Sequence, residues 1–267
     1  MKISVILIFC LAILSTSCSE YQQVYRSDNA TTKYSLADSL YKAGKYKKAL
    51  KLMEQIVPAY RGKPQAERLM FMYSDTYFQM GDFYLAGYQF ERFETSYPKS
   101  DSVETASFKS AKSYYELSPR YSLDQEDTKK ALDKLQAFIN TYPNTQYRVQ
   151  ANKLVAELRA KIELKDITVA KQYLKISDYK PAIGAFDNFI SDHPGSSFRK
   201  DAFFGRLDAA YQLAINSVPR RVDERLNEAL AYYNSFVKYY EETELMSDAE
   251  VIVKDINKRL NTEKTTS

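Results

Sequence analysis

Tryptophan is absent from this chain of 267 residues, histidine occurs once, cysteine twice and glycine only seven times. Each scarcity removes a class of chemistry. The single histidine, His193, stands before Pro194 where Tyr97 and Tyr142 stand before Pro98 and Pro143, so it reads as a turn residue rather than a base or ligand. No Cys/His spacing has the pattern of a metal site. The glycines are scattered singly, so there is no phosphate-cradling loop. An excess of one charge is also missing: 38 basic and 34 acidic residues leave a net +4. Nucleic-acid binding needs basic residues gathered on one face. The longest basic cluster, residues 42–51, is interleaved with apolar residues and reads as a solvated helix face. Carboxylates fall on helix faces opposite Lys and Arg, where solvation and pairing are the default. No catalytic constellation, metal, cofactor or nucleic-acid partner is expected.

What the chain does have is repetition. Five times an alanine is followed four and seven residues later by large apolar residues: Ala49/Met53/Ile56, Ala86/Phe90/Phe93, Ala131/Leu135/Phe138, Ala182/Phe186/Phe189 and Ala229/Tyr233/Phe236. Spacings of four and three put each trio on one helix face. Pro98, Pro143 and Pro194 close the second, third and fourth copies. Repetition at this period implies stacked helix pairs that cannot bury their apolar faces alone. The expected fold is all-α, an α-α superhelix of about five pairs over residues 33–58, 65–98, 102–143, 146–194 and 198–240, with a capping helix over 245–260 and essentially no sheet. Arrays of this kind bind other chains more often than they transform small molecules.

The N-terminus reads as an export signal. Lys2 supplies a short positive end, residues 3–14 an apolar stretch, and Ser15-Thr16-Ser17 small residues before Cys18. This resembles a bacterial lipobox, with Ser15 and Ser17 where Leu and Gly or Ala are usual, and implies that residues 1–17 are removed and Cys18 is lipidated. The other reading of Cys18 is an ordinary thiol. It would then be the only thiol left, because Cys10 leaves with the signal. Lipidation is the favoured reading, since a lone exposed thiol is a liability in an oxidising compartment. Residues 18–32 are polar and without helical period, so they read as a lipidated tether; Tyr21, Val24 and Tyr25 leave open a short arm ordered on the first repeat.

The second pair names the repeat. Tyr73, Tyr77, Gly81, Phe83, Ala86, Phe90 and Pro98 resemble the tetratricopeptide repeat, two antiparallel helices in which glycine ends the first and proline stops the second. In such arrays the first helices line a groove. The positions expected to face it are Tyr34, Asp38 and Tyr41, then Arg68, Phe71, Asp75 and Phe78, then Phe108, Lys112 and Tyr115. Such a stripe could clasp an extended peptide, with Arg68 or Lys112 meeting a terminal carboxylate. The same rings could instead seal neighbouring repeats together.

The lipobox-like start, the irregular pairs, and the phrases running from Phe93 through Pro98 to Ser100 and from Phe138 through Pro143 to Tyr147 together resemble the BamD family. These are tetratricopeptide lipoproteins of the bacterial outer-membrane β-barrel assembly machinery. The resemblance covers about residues 18–215 and weakens after Pro219. It implies a non-enzymatic scaffold, lipid-anchored on the periplasmic face of the outer membrane. Its implied partners are a BamA-type insertase, other assembly lipoproteins, and unfolded barrel proteins whose C-terminal strand would enter the groove. The competing expectation is another periplasmic scaffold of cell-envelope coordination, of the Tol-Pal kind.

Overall fold

The computed structural model describes residues 20–264, so the signal segment and Cys18 lie outside the described residues. Every regular element among the described residues is helical. Helix α1 covers 20–26, followed by α2 (Ala30–Lys42), α3 (Tyr46–Ile56), α4 (Ala66–Gln79), α5 (Phe83–Ser96), α6 (Val103–Leu117) and α7 (Glu126–Thr141). Then come α8 (Arg148–Lys175), α9 (Tyr179–Asp192), α10 (Arg199–Ile215), α11 (Val222–Tyr240) and α12 (Met246–Lys264). Short 3₁₀ turns at Pro58–Tyr60 and Pro219–Arg221 follow α3 and precede α11.

The chain forms two compact units. The first comprises the residues up to Pro119 together with Glu126–Leu158; the second comprises Arg120–Gln125 and everything from Arg159 onward. In the first unit α2/α3, α4/α5 and α6/α7 pack as pairs. One core gathers Ala49, Met53, Ile56, Leu69 and Met72, and a second Ala86, Phe90, Phe93 and Ala106. A third joins Phe108, Leu135 and Phe138 to Ala151, Leu154 and Leu158 of α8. In the second unit Ile167 and Ala170 of α8 share one core with Phe186 and Phe189 of α9, Phe203 and Leu207 of α10, Phe236 of α11, and Ala249 and Ile256 of α12.

The five alanines that carry the repeat are completely buried, each at 0% exposure, so each marks a close helix–helix approach that a larger side chain would prevent. Helix ends repeat as well. Gly44, Gly81 and Ser177 close α2, α4 and α8 with φ of +70°, +77° and +62°. In each case the next residue donates its backbone N–H five residues back, Lys45 to Leu40, Asp82 to Tyr77 and Asp178 to Tyr173. Ser177 therefore fills a glycine place, at a left-handed angle that costs a residue with a Cβ about 1–2 kcal/mol.

The other junction has its own device. After Tyr97, Tyr142 and His193, the hydroxyls of Ser100, Thr145 and Ser196 accept from the backbone N–H two residues on, at 3.0–3.1 Å. Ser100 and Thr145 also donate to Glu67 and Glu104, each a first-helix carboxylate of the preceding pair, at 2.6 and 2.5 Å. Proline stops the second helix and the hydroxyl two residues later turns the chain into the next. His193 sits in the third such turn, its ring against Phe189 and its Nε2 3.0 Å from Asp166.

The N-terminus departs from the tether expectation. Residues 20–26 are helical, and Tyr21, Val24 and Tyr25 pack on the core of the first pair. Helix α2 also begins before Lys33, because the Asn29 side chain accepts from the N–H groups of Thr31 and Thr32, both at 3.0 Å, and caps it.

Half-buried Asp208 of α10 is a place where burial works against ionisation. Desolvation raises its carboxyl above the usual value of 3.8, and a hydrogen bond from Gln212 only partly opposes this. A carboxyl raised in the folded state supplies stability below its unfolded value that is lost as pH rises through the folded value. Asp208→Asn is accordingly expected to raise the melting temperature at pH 7, with the gain vanishing below about pH 4; calorimetry at both pH values checks this.

Candidate functional site

Helices α2, α4 and α6, the first members of three successive pairs in the first unit, carry all ten groove candidates. They are joined side to side by polar contacts. Tyr41 donates to Asp75 Oδ2 at 2.5 Å, Lys109 forms an ion pair with Asp75 Oδ1, and Arg68 Nη2 reaches Asp38 Oδ1 at 2.5 Å. Asp38 also holds Lys42 at 2.6 Å. Burial acts to raise the Asp38 carboxyl, but hydrogen bonds from Lys42 and Arg68 outweigh it and hold the group below the usual carboxylate range. Burial first, and then the hydrogen bond to Asp75, pushes the Tyr41 phenol well up, so it stays a donor. Tyr115 donates to Glu157 of α8 at 2.5 Å, a bond that with burial pushes its phenol up to about 12.

The aromatic candidates divide. Tyr34 stacks on Tyr60 at 5.3 Å, and Phe71 stands edge-on to Phe90 and Phe93 at 5.8 and 5.6 Å, so both are half-embedded in repeat packing. Phe78 is half-buried, edge-on to Phe83, with the ammonium groups of Lys109 and Lys112 at 5.6 and 5.5 Å from its ring centroid. Phe108 is no groove residue. It is 4% exposed, lies flat against Tyr147 at 4.4 Å with planes 5° apart, and touches Phe138. The ring packed on it from the turn just before α8 supplies what a ligand was expected to supply.

Asp75 is likewise sealed, at 2% exposure, and its charge is consumed by Tyr41 and Lys109. Arg68 is exposed but already paired with Asp38. Lys112 is different: its ammonium lies against Phe78 without an acidic partner among the described residues. Beside Arg68 a cavity of about 300 Å³ is lined by Pro64, Glu67, Arg68, Phe71, Phe93 and Ser102. Sequence spacing missed Lys109. It lies one residue after Phe108 and three before Lys112, and that second spacing was the available signal.

Among the described residues no group of His, Cys, Asp and Glu is arranged to hold a metal ion, and no helix is long and apolar enough to cross a membrane. Antiparallel pairs closed by a left-handed residue and restarted after Tyr-Pro or His-Pro define a helical-repeat protein of the tetratricopeptide type. The chain belongs to the family YfiO, outer membrane lipoprotein, which it matches over residues 26–226.

It is similar to the outer membrane protein assembly factor BamD of Caulobacter vibrioides, 28% identical over 144 residues that make up 54% of this chain and 46% of that protein. It is also similar to BamD of Rickettsia prowazekii, 21% identical over 177 residues, 66% of this chain and 70% of that one. The match thus spans less than half the length of the Caulobacter protein. Among solved structures, the TPR2AB domain of yeast Sti1 in its complex with pHSP90 aligns with 85% of this chain and 98% of its own, at 12% identity and a TM-score of 0.38. A thermophilic TPR protein of Thermus thermophilus aligns over the same shares at 18% identity and a TM-score of 0.33.

Proposed function

We propose that this chain is a non-enzymatic scaffold of the outer-membrane β-barrel assembly machinery. In this reading Cys18 is acylated and holds the protein on the periplasmic face. A BamA-type insertase and companion lipoproteins dock on it, and the groove of α2, α4 and α6 receives the C-terminal strand of unfolded barrel proteins. The observation that carries the reading is the family match over 26–226, which takes in the whole groove. The groove's chemistry supports it. Phe78 offers a half-exposed aromatic face and Lys112 a cation with no acidic partner, whereas Arg68 would have to leave Asp38 to meet a carboxylate.

Phe78→Ala combined with Lys112→Glu is expected to weaken binding of a peptide ending in an aromatic residue and a free carboxylate by roughly tenfold or more. A BamA-type insertase should still copurify with the variant from native membranes in mild detergent, and circular dichroism should report unchanged helix content. Unaltered peptide affinity would remove the groove from the account. An insertase absent from the wild-type purification would remove the scaffold reading itself.

A further inference from the structure

Helix α1 is fastened beside α3. The Tyr21 hydroxyl donates to the Lys48 carbonyl at 3.3 Å, and the Lys48 ammonium lies 5.2 Å from the Tyr21 ring centroid. Next to this contact α3 presents Lys47, Lys48 and Lys51, all exposed, while Ala49, Leu52, Met53 and Ile56 are buried beneath them. At 100° per residue the three lysines fall within roughly 100° of the helix circumference. Lys45 is exposed just ahead of them, and residues 39–53 hold five lysines and no acid. Lys42 is neutralised by Asp38, but Lys45, Lys47, Lys48 and Lys51 have no ion-pair partner among the described residues. The acids that flank this run in sequence are Asp38, which holds Lys42, and Glu54, which accepts a hydrogen bond from Tyr77 at 3.4 Å. Three unpaired ammonium groups on one face, with Lys45 just ahead of them and beside the helix that lies nearest Cys18 in sequence, are placed to meet a surface of negative charge.

We propose that this lysine face of α3 lies on the membrane and binds anionic phospholipid headgroups, turning the first helix pair toward the bilayer. The inference rests on the acylation of Cys18. Tyr21, which touches Lys48, is only three residues from Cys18, roughly 10 Å of fully extended chain. An anchor at Cys18 therefore brings the α1–α3 edge to the headgroups, at a distance comparable with the roughly 8 Å screening length of physiological salt. With the anchor already holding the protein at the bilayer, a basic patch beside it supplies chiefly orientation. The occupant follows from charge and position together: a protein partner could meet lysines anywhere on the molecule, whereas these stand where the anchor must emerge.

The test uses the mature chain with Cys18→Ser, titrated with vesicles of phosphatidylethanolamine doped with phosphatidylglycerol and with vesicles of phosphatidylcholine. Binding is expected to the anionic vesicles only, to weaken with salt, and to fall by more than roughly a hundredfold in Lys47→Glu/Lys48→Glu/Lys51→Glu, because losing each lysine costs roughly fivefold and each glutamate adds repulsion. A triple glutamine variant, with helix content checked by circular dichroism, should show a smaller loss of the same sign. A charge-reversed chain that binds like wild type, or wild type that binds neutral vesicles equally, would overturn the lysine face. So would a preference for soluble polyglutamate over anionic vesicles, which would point to an acidic protein instead. The anchor is read separately from the mass of the Cys18 peptide in protein taken from native membranes. An unmodified Cys18 would overturn the anchor and the placement of this face with it, whereas acylation with charge-insensitive vesicle binding would overturn the face alone.

Discussion

Phe186→Ala is expected to cost the second unit about 3–5 kcal/mol, the usual loss for emptying a large aromatic site in a packed core. Phe186 is completely buried at the crossing of α9 and α10. Its ring lies over Gly205, where a Cβ would meet the ring carbons Cζ, Cε1 and Cε2 at 2.3, 2.7 and 2.8 Å. Those distances make the site informative, because two effects oppose each other there. Helix propensity favours Gly205→Ala by about 1 kcal/mol. Overpacking in a core costs about 1–3 kcal/mol or more, and a ring with no exposed edge cannot swing aside. The steric effect wins, so Gly205→Ala alone is expected to destabilise. With Phe186 already replaced by alanine the obstacle is gone, and the same change should be neutral or stabilising. A double-mutant cycle by urea denaturation should show coupling of about 2 kcal/mol or more; additive losses would mean that the Phe186 ring does not crowd Gly205.

Gly205 also shows what was legible in the sequence and what was not. The five alanines were readable because spacing of four and three betrays a helix face, and a small residue at a fixed place within it betrays a close approach. Gly205 serves the same end on a first helix, but no repeated partner marks it, so it reads as a weak helix residue. Helix α1 was hidden for another reason. Its seven described residues hold too few apolar positions to display a period, and a segment of that length is not stable as a helix by itself. Tyr21 and Tyr25 stack at 6.0 Å and settle on the first pair, so tertiary contact and not local propensity makes this helix.

The early start of α2 was present in the sequence as Asn29, an N-cap without an apolar run immediately after it. In the groove, aromatic–charge–aromatic spacing placed the α2 and α4 residues together on their helices, yet it said nothing of what already filled their partners' valences. On α6 the same spacing set the phase one residue away from Lys109, because Phe108 has the right chemistry for a groove and the wrong neighbour. Only the stacking of Tyr147 decides that, and Tyr147 belongs to the next repeat.

Lys109→Met should be the most damaging single change on the groove side of the first unit, at about 3 kcal/mol, the low end of the range for removing one partner from a buried ion pair. The asymmetry of the pair explains both the size and the direction. Asp75 exposes 3% of its side chain, whereas Lys109 exposes 25%, so the carboxylate is the member that cannot recover water when its partner leaves. Tyr41 at 2.5 Å and Gln79 at 3.4 Å would remain as neutral donors, which keeps the loss from being larger. Adding Asp75→Asn should return part of the stability, since the stranded charge is what costs. Lys112→Met, three residues along the same helix, removes a cation with no acid to strand and should fall within about 0.5 kcal/mol of wild type.

Arg68→Ala should lie near it, because the Arg68 side chain is 58% exposed and Asp38 keeps Lys42 as a partner, and pairs with an exposed member contribute about 0–1 kcal/mol. Hydrogen exchange should localise the Lys109 defect to α2, α4 and α6, because Asp75 is the joint through which Tyr41 and Lys109 tie these three helices together. Equal losses for Lys109→Met and Lys112→Met would show Asp75 to be hydrated, and a hydrated Asp75 would be as open to a ligand as Lys112. A large loss for Lys109 alone divides the groove into a buried polar joint that holds three helices in register and an outer cation free to meet what binds there.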